Sequence, residues 1–361
     1  MKNAFKKIAC LLLCLLLTAA VPSAPARAEE APTLGDLTGD GETTAADAAA
    51  MLRALARGTM EEQSRPDLDF TKNGEIDSAD VRAALLYAAG GIADWVSFGE
   101  RVSSGLCSER LFDHFSYTGA KTTESGGYKS DTVAVSFLTG RVEKSNYVLA
   151  DIYIQDISCF VTAFGAEKFR GGAEPAHKLF ERIDGGIVAM NGDYYSIHVF
   201  GPVVRNGEIF KDYITRDWDI ALLQSDGELA VYEHDTLTNS VFSSTSVYQS
   251  WVFGPSLLDE DGSAKTRFRS RVQSENPRSA LGYYEPGHYA FLAVDGRSGE
   301  SEGLTMKQLA QLCEDLGFAR AYNMDGGQSS ILLSQAGVVN EPYHNGRPVS
   351  DILAIREVPE G

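Results

Sequence analysis

Carboxylates, arginines and glycines fall together at two places in this 361-residue chain, each time at the end of an apolar run. Tyr289–Val294 ends on Asp295-Gly296-Arg297. Ala319–Leu333 carries Asn323 and Asp325, breaks at Gly326-Gly327, presents Gln328, Ser329 and Ser330, and resumes with Ile331. Adjacent glycines allow positive φ and let a ligand approach without a Cβ in the way, while neighbouring amides can turn toward an anion. A carboxylate can serve as base or nucleophile, and a guanidinium fork matches oxyanion oxygens in pairs. Taken alone, Asp-Gly-Gly between strands is also an ordinary hairpin turn.

The connecting elements decide whether the two places meet. Leu304–Leu316 puts Leu309, Leu312, Cys313 and Leu316 on one helical face, with Thr305 and Gln308 as a capping-box start and Gly317 as a stop. That is strand, helix, strand. If both strands join one sheet the crossover makes them parallel, so Asp295 and Asp325 emerge at the same carboxyl edge, where open sheets bind ligands.

The chain opens Met-Lys-Asn-Ala-Phe-Lys-Lys, continues through the apolar Ile8–Ala20 and reaches Ala26-Arg27-Ala28. This order reads as a secretory signal peptide over residues 1–28. The apolar run is short for a membrane span, no later segment reads as transmembrane, and export without a lipid anchor is expected. The formal net charge of −18 includes no basic stripe, which argues against nucleic-acid binding. Three of the five cysteines, Cys107, Cys159 and Cys313, lie beyond the leader, at spacings that form no disulfide framework.

Residues 33–91 hold an internal repeat. Asp36, Thr38, Asp40 and Asp47 recur as Asp69, Thr71, Asn73 and Asp80, with Gly41 and Gly74 between. Oxygen-bearing side chains at loop positions 1, 3, 5 and 12, with glycine at 6, have the spacing of a calcium loop. A helical stretch follows each loop, Ala45–Arg57 and Ser78–Ala89. Two such loops, each with one helix and each closing on aspartate, resemble a dockerin, the module that attaches secreted enzymes to a cohesin-bearing scaffold. The resemblance implies two Ca2+ ions, one held by each set of four residues, a cohesin partner, and an extracellular location, with cell-surface display through the scaffold. Residues 92–105 read as a linker.

From residue 106 to 361 the pattern is mainly strands, including Thr132–Leu138, Asn146–Ile154, Ile187–Met190 and Ala221–Leu223, with one helix near Ala176–Ile183. In order, Asn191-Gly192-Asp193-Tyr194-Tyr195, Phe253-Gly254-Pro255, Asn276-Pro277-Arg278-Ser279-Ala280, Val294-Asp295-Gly296-Arg297 and Asn323-Met324-Asp325-Gly326-Gly327-Gln328-Ser329-Ser330 resemble the phosphodiester glycosidase family, that of the N-acetylglucosamine-phosphodiester glycosidases. Arg347-Pro348-Val349-Ser350-Asp351 also fits. Gln328 stands where the family usually has a third glycine, so its side chain would narrow the pocket or contact substrate.

The fold implied is α+β: a mixed β-sheet glycosidase domain behind a small all-α dockerin-like module. The activity implied is release of a sugar from a glycosyl phosphodiester of an exopolysaccharide or envelope glycan. Arg278 and Arg297 would neutralise phosphate, helped by the amides of Gly326–Ser329. Asp325 or Asp295 would act as base or nucleophile, Asn191 and Asp193 would hold sugar hydroxyls, and Ser329 or Ser330 would touch phosphate. Asp295 and Asp325 could ligate a metal in this domain, but no histidine or acid cluster with ligand spacing argues for one.

Two rivals remain. A serine hydrolase would need a nucleophile elbow that Gly327-Gln328-Ser329-Ser330-Ile331 lacks, and His198 is the only histidine near a site motif. A non-catalytic glycan-binding module on a scaffold would use Tyr194, Tyr195, Trp251, Tyr283 and Tyr284 as stacking platforms, although aromatics at strand spacing are more often core.

Overall fold

The computed structural model describes residues 33–60, 65–196, 201–215 and 217–358. The leader read over residues 1–28 and His198 lie outside the described residues. The chain divides into a small unit, comprising residues up to Phe70 together with Glu75–Ala88, and a large unit comprising Thr71–Gly74 and everything from Ala89 on.

The small unit is helical. α1 (Ala45–Arg57) starts at Thr44, whose hydroxyl joins Asp47 in a capping box, and ends at Gly58 with φ 63°. α2 (Ser78–Ala88) pairs with it. Ala48 and Met51 of α1 and Val81, Ala83 and Ala84 of α2 are buried with Leu68 and Phe70.

The large unit begins with a helix where a linker was expected: α3 (Trp95–Ser104). The Asp94 carboxylate accepts from Val96 N and Ser97 N, closing the helix start, and Phe98 and Val102, one turn apart, are buried. Phe98 meets Phe112 and Tyr117 edge-on at 5.5 and 4.8 Å. The serines and glycines of this segment conceal that apolar stripe.

The strands follow as β1 (Lys121–Thr122), β2 (Tyr128–Lys129), β3 (Val133–Val142), β4 (Ser145–Ile154), β5 (Phe160–Phe164), β6 (Gly186–Asn191), β7 (Val203–Arg205), β8 (Glu208–Lys211), β9 (Ile220–Gln224), β10 (Leu229–Tyr232), β11 (Val247–Trp251), β12 (Arg278–Glu285), β13 (His288–Val294), β14 (Arg320–Asn323), β15 (Leu332–Ser334), β16 (Gly337–Val338) and β17 (Asp351–Arg356). The helices among them are α4 (Ala176–Phe180), α5 (Asn239–Ser244) and α6 (Met306–Asp315). Seven strands join in the order β1-β2-β3-β4-β13-β12-β14, five as β16-β15-β6-β17-β5, three as β10-β9-β11, and β7 pairs with β8.

Burial on both faces explains why β13 reads as an unbroken apolar run. Its Tyr289, Phe291 and Ala293 point into a core shared with Val188 and Met190 of β6, Leu332 of β15 and Leu353 and Ile355 of β17. Its Ala290, Leu292 and Val294 face Leu309, Leu312 and Cys313 of α6. On the far side of the five-stranded sheet, Ala189, Leu333, Ile352 and Ala354 cover Ala176 and Leu179 of α4. The order is therefore helix, sheet, sheet, helix.

β12 is antiparallel to both β13 and β14, so β13 and β14 run parallel with β12 between them. The Thr305–Gln308 capping box is formed and Gly317 has φ 79°, as the sequence indicates. Cys107, Cys159 and Cys313 are buried free thiols; desolvation pushes Cys107 and Cys159 up to about 12 and Cys313 higher still. Among the described residues, no helix is long and apolar enough to cross a membrane.

Candidate functional site

At the carboxyl edge of β14 the chain turns through Asp325 and Gly326 into a short 3-10 turn, Gly327–Ser329, before re-entering the core as β15. Gly327 has φ 65°, and a Cβ there would come within 3.2 Å of the Arg297 guanidinium. A Cβ on Gly326 would come within 2.8 Å of Pro277 O. Both glycines therefore serve a close approach of chain to chain.

This turn floors a cavity of about 1040 Å³. Asp325, Gly326, Gly327 and Gln328 line it together with Arg269, Arg271, Arg278, Arg297 and Arg347, and Trp218, Phe253 and Phe268 add aromatic wall. In a chain of net charge −18, five guanidinium groups against the two carboxylates of Asp217 and Asp325 make a local reversal of sign. Arg347 Nη2 donates to Asp325 Oδ2 at 2.8 Å and Arg347 Nε to Ser329 Oγ at 2.6 Å, while its guanidinium lies 4.9 Å from the Tyr194 ring centre. Arg297 donates to Asn276 Oδ1 at 2.7 Å and lies over Tyr343.

Arg278 is 3% exposed, and burial, reinforced by the charge of Arg297, pulls it from 12.5 to about 10. Its N–H groups donate to the carbonyls of Leu304, Val272 and Ser274. Arg278 thus lends its charge to the cavity while its fork ties down the irregular segment carrying Arg269 and Arg271, which differs from a direct two-pronged hold on phosphate. The turn amides differ from expectation as well: Gly327 N donates to Pro277 O and Ser329 N to Gly326 O.

The other residues singled out in the sequence stand behind the cavity. Asp295 is 5% exposed; its Oδ1 accepts from Asn340 Nδ2 and Glu341 N, and desolvation raises its pKa. Asp295 and Asp325 do leave the sheet at one edge, but only Asp325 lines the cavity. Asn191 is buried and donates to Asp325 O at 2.7 Å while its Oδ1 accepts from Ser279 Oγ and Ile331 N, so it braces the turn from within. Ser330 is buried against Ser279. Asp193 accepts from Tyr195 N, Val252 N and Arg205 Nη2.

Arg205 lies between Asp193 and Asp351, at 3.0 and 2.9 Å, in an ion triad whose members are at most 2% exposed. Burial raises the Asp351 carboxyl above its ordinary range, with the Asp193 charge adding to it and Arg205 opposing. The backbone N of Asp325 donates to Gly192 O, so this triad holds the turn on which Asp325 rests. Sequence reasoning named Asp193 but not Arg205, and included Arg347 and Asp351 in a motif without giving them a role.

Ser329 Oγ accepts from Arg347 Nε and, among the described residues, donates to no histidine base, so the arrangement of a serine nucleophile is not formed there. Trp251, Tyr195 and Tyr283 are core residues at 0%, 4% and 8% exposure, which removes them as open stacking platforms.

In the small unit, carboxylate oxygens of Asp36, Asp40 and Asp47 lie within 4.8 Å of one another. Gly39 and Gly41 take φ 77° and 92°, bending the loop that gathers them. Three convergent carboxylates of oxygen-only chemistry suit calcium, and Thr38 adds a weaker oxygen. In the second loop Thr71 and Asp80 are buried, and Asp80 Oδ2 accepts from Asp77 N.

These features define an α+β domain with an anion-attracting cavity at the strand ends, preceded by a helical calcium-loop module. Residues 184–356 match the phosphodiester glycosidase family, and residues 34–83 match the dockerin type I domain, a calcium-binding module. The likeness read from the motifs is thereby borne out in both parts.

The SPbeta prophage-derived uncharacterized protein YomE of Bacillus subtilis (strain 168) is 26% identical over 178 residues, which are 47% of this chain and 28% of that protein. The chain thus spans little more than a quarter of that relative's length. The zebrafish N-acetylglucosamine-1-phosphodiester alpha-N-acetylglucosaminidase catalytic domain, auto-inhibited by its pro-peptide, superposes with a TM-score of 0.53 at 17% identity, covering 66% of this chain and 88% of that one. A hypothetical protein from Synechocystis gives 0.49 at 12% identity over 63% of each chain. At 17% identity the zebrafish structure speaks for the fold.

Proposed function

We propose that this protein is a secreted hydrolase that releases a sugar from a glycosyl phosphodiester of an exopolysaccharide or envelope glycan, and that its dockerin, loaded with two calcium ions, joins it to a cohesin-bearing scaffold at the cell surface. The observation that carries the reading is Asp325, held by Arg347 at the floor of a cavity flanked by Arg278 and Arg297.

A phosphomonoester leaves as a stable anion, so the enzyme has less need to protonate it than in ordinary glycoside hydrolysis. The need is to neutralise phosphate charge and to support an oxocarbenium-like sugar while water attacks. Arg297, with free donor capacity beside Gly327, takes the phosphate oxygens, and Arg278 adds its charge through the wall. Asp325 meets the anomeric carbon from the floor, with Arg347 fixing the carboxylate's orientation. Trp218 and Phe253 give the sugar an apolar wall. Calcium in the first loop would be held by Asp36, Thr38, Asp40 and Asp47, and in the second by Asp69, Thr71, Asn73 and Asp80; it supplies folding free energy to the small unit.

Release of free sugar from a panel of glycosyl phosphodiesters tests this. Asp325→Asn and Arg297→Ala should each lower kcat/KM by roughly 10²–10³ with native circular dichroism. Wild-type rates in both variants would refute the assignment. Tight glycan binding with no release by the wild type would favour a binding module instead.

A further inference from the structure

The cavity holds more positive charge than one phosphodiester can answer. Arg347 is matched by Asp325 at 2.8 Å, and Arg269 approaches Asp217 at 3.9 Å. Among the described residues, Arg271, Arg278 and Arg297 have no carboxylate within ion-pair distance. Arg278 is nearly buried, and a buried cation is costly without a counter-charge. Glu275 offsets its charge only from beyond ion-pair range, and Arg297 repels it. A glycosyl phosphodiester carries one negative charge.

The three cations also occupy different walls. Arg278 begins β12, Arg297 follows β13, and Arg271 sits on the irregular segment that Arg278 ties down through Val272 O and Ser274 O. Arg271 is exposed on that segment, placed to meet a part of the ligand beyond the atoms held at Gly327.

Resting on the hydrolase reading above, we infer that the ligand is multiply anionic: a glycosyl phosphate bearing a second acidic group within reach of Arg271, while Arg278 and Arg297 answer the scissile phosphate. The second charge comes either from the same phosphate chain, as in a pyrophosphate diester, or from a neighbouring unit, as in a phosphodiester-linked repeat.

Four substrates with one sugar decide this at fixed ionic strength: a methyl phosphodiester, the same with a neutral glycosyl extension, the same extended by a second phosphodiester, and a pyrophosphate diester. The expected result is kcat/KM about tenfold higher for one doubly charged substrate than for the neutral extension, the preferred one naming the source of the charge. Arg271→Gln should bring that ratio close to one. Equal rates for charged and neutral extensions overturn the inference and leave the hydrolase standing. If no substrate is cleaved, the hydrolase reading fails, and titration with inorganic phosphate and inorganic triphosphate decides the inference separately. Triphosphate bound about tenfold tighter, with the preference lost in Arg271→Gln, keeps it; equal affinities overturn it.

Discussion

Asp295 and Asp325 look alike in sequence, each an acid before glycine just past a strand, and the fold gives them different surroundings. Asp325 faces the cavity and Arg347, whereas Asp295 accepts two hydrogen bonds from the 340–341 segment. Asn at position 295 can still accept both, so Asp295→Asn should retain kcat within about fivefold while Asp325→Asn loses it; loss of turnover in both would return Asp295 to the chemistry. Burial raises the folded pKa of Asp295 above 3.8, so its protonated form favours folding at low pH and that contribution is lost as pH rises through the folded value. Urea titrations should therefore find Asp295→Asn at least as stable as wild type at neutral pH, with a smaller loss on raising pH above 4. Arg205 is the opposite case. Removing it strands Asp193 and Asp351, and Arg205→Met should cost about 3–5 kcal/mol of unfolding free energy. An unchanged denaturation midpoint would mean that the triad contributes nothing net.

The β13–α6–β14 unit was legible because apolar periodicity, a capping box and a glycine stop all agree there. Removing the cap hydroxyl with Thr305→Ala should cost about 1 kcal/mol, read from denaturant unfolding. The dockerin repeat was legible for the same reason, since its acidic spacing occurs twice. α3 was missed because its signal is one aspartate cap and a two-residue stripe among serines. The partners of Asp325 and Asp193 were not legible. Arg347 arrives from an irregular segment and Arg205 from β7, and no local periodicity ties either of them to its partner. Chelation should lower the unfolding temperature of the small unit in full-length protein, and saturation to a hundred times the calcium Kd should restore about 2.7 kcal/mol. Identical melts with and without chelator would remove calcium from that loop.

Charge and burial at the scale of the whole chain shape how the protein meets its surroundings. The acidic surface and the arginine-lined cavity oppose each other, so an anionic substrate is repelled broadly and drawn in locally. The three thiols have a plainer consequence. Cys107, Cys159 and Cys313 are interior, and burial keeps them in the unreactive SH form. The three thiols of the described fold thus form no cross-link for a reductant to break, and a thiol-directed alkylating reagent should reach them only once the chain is denatured.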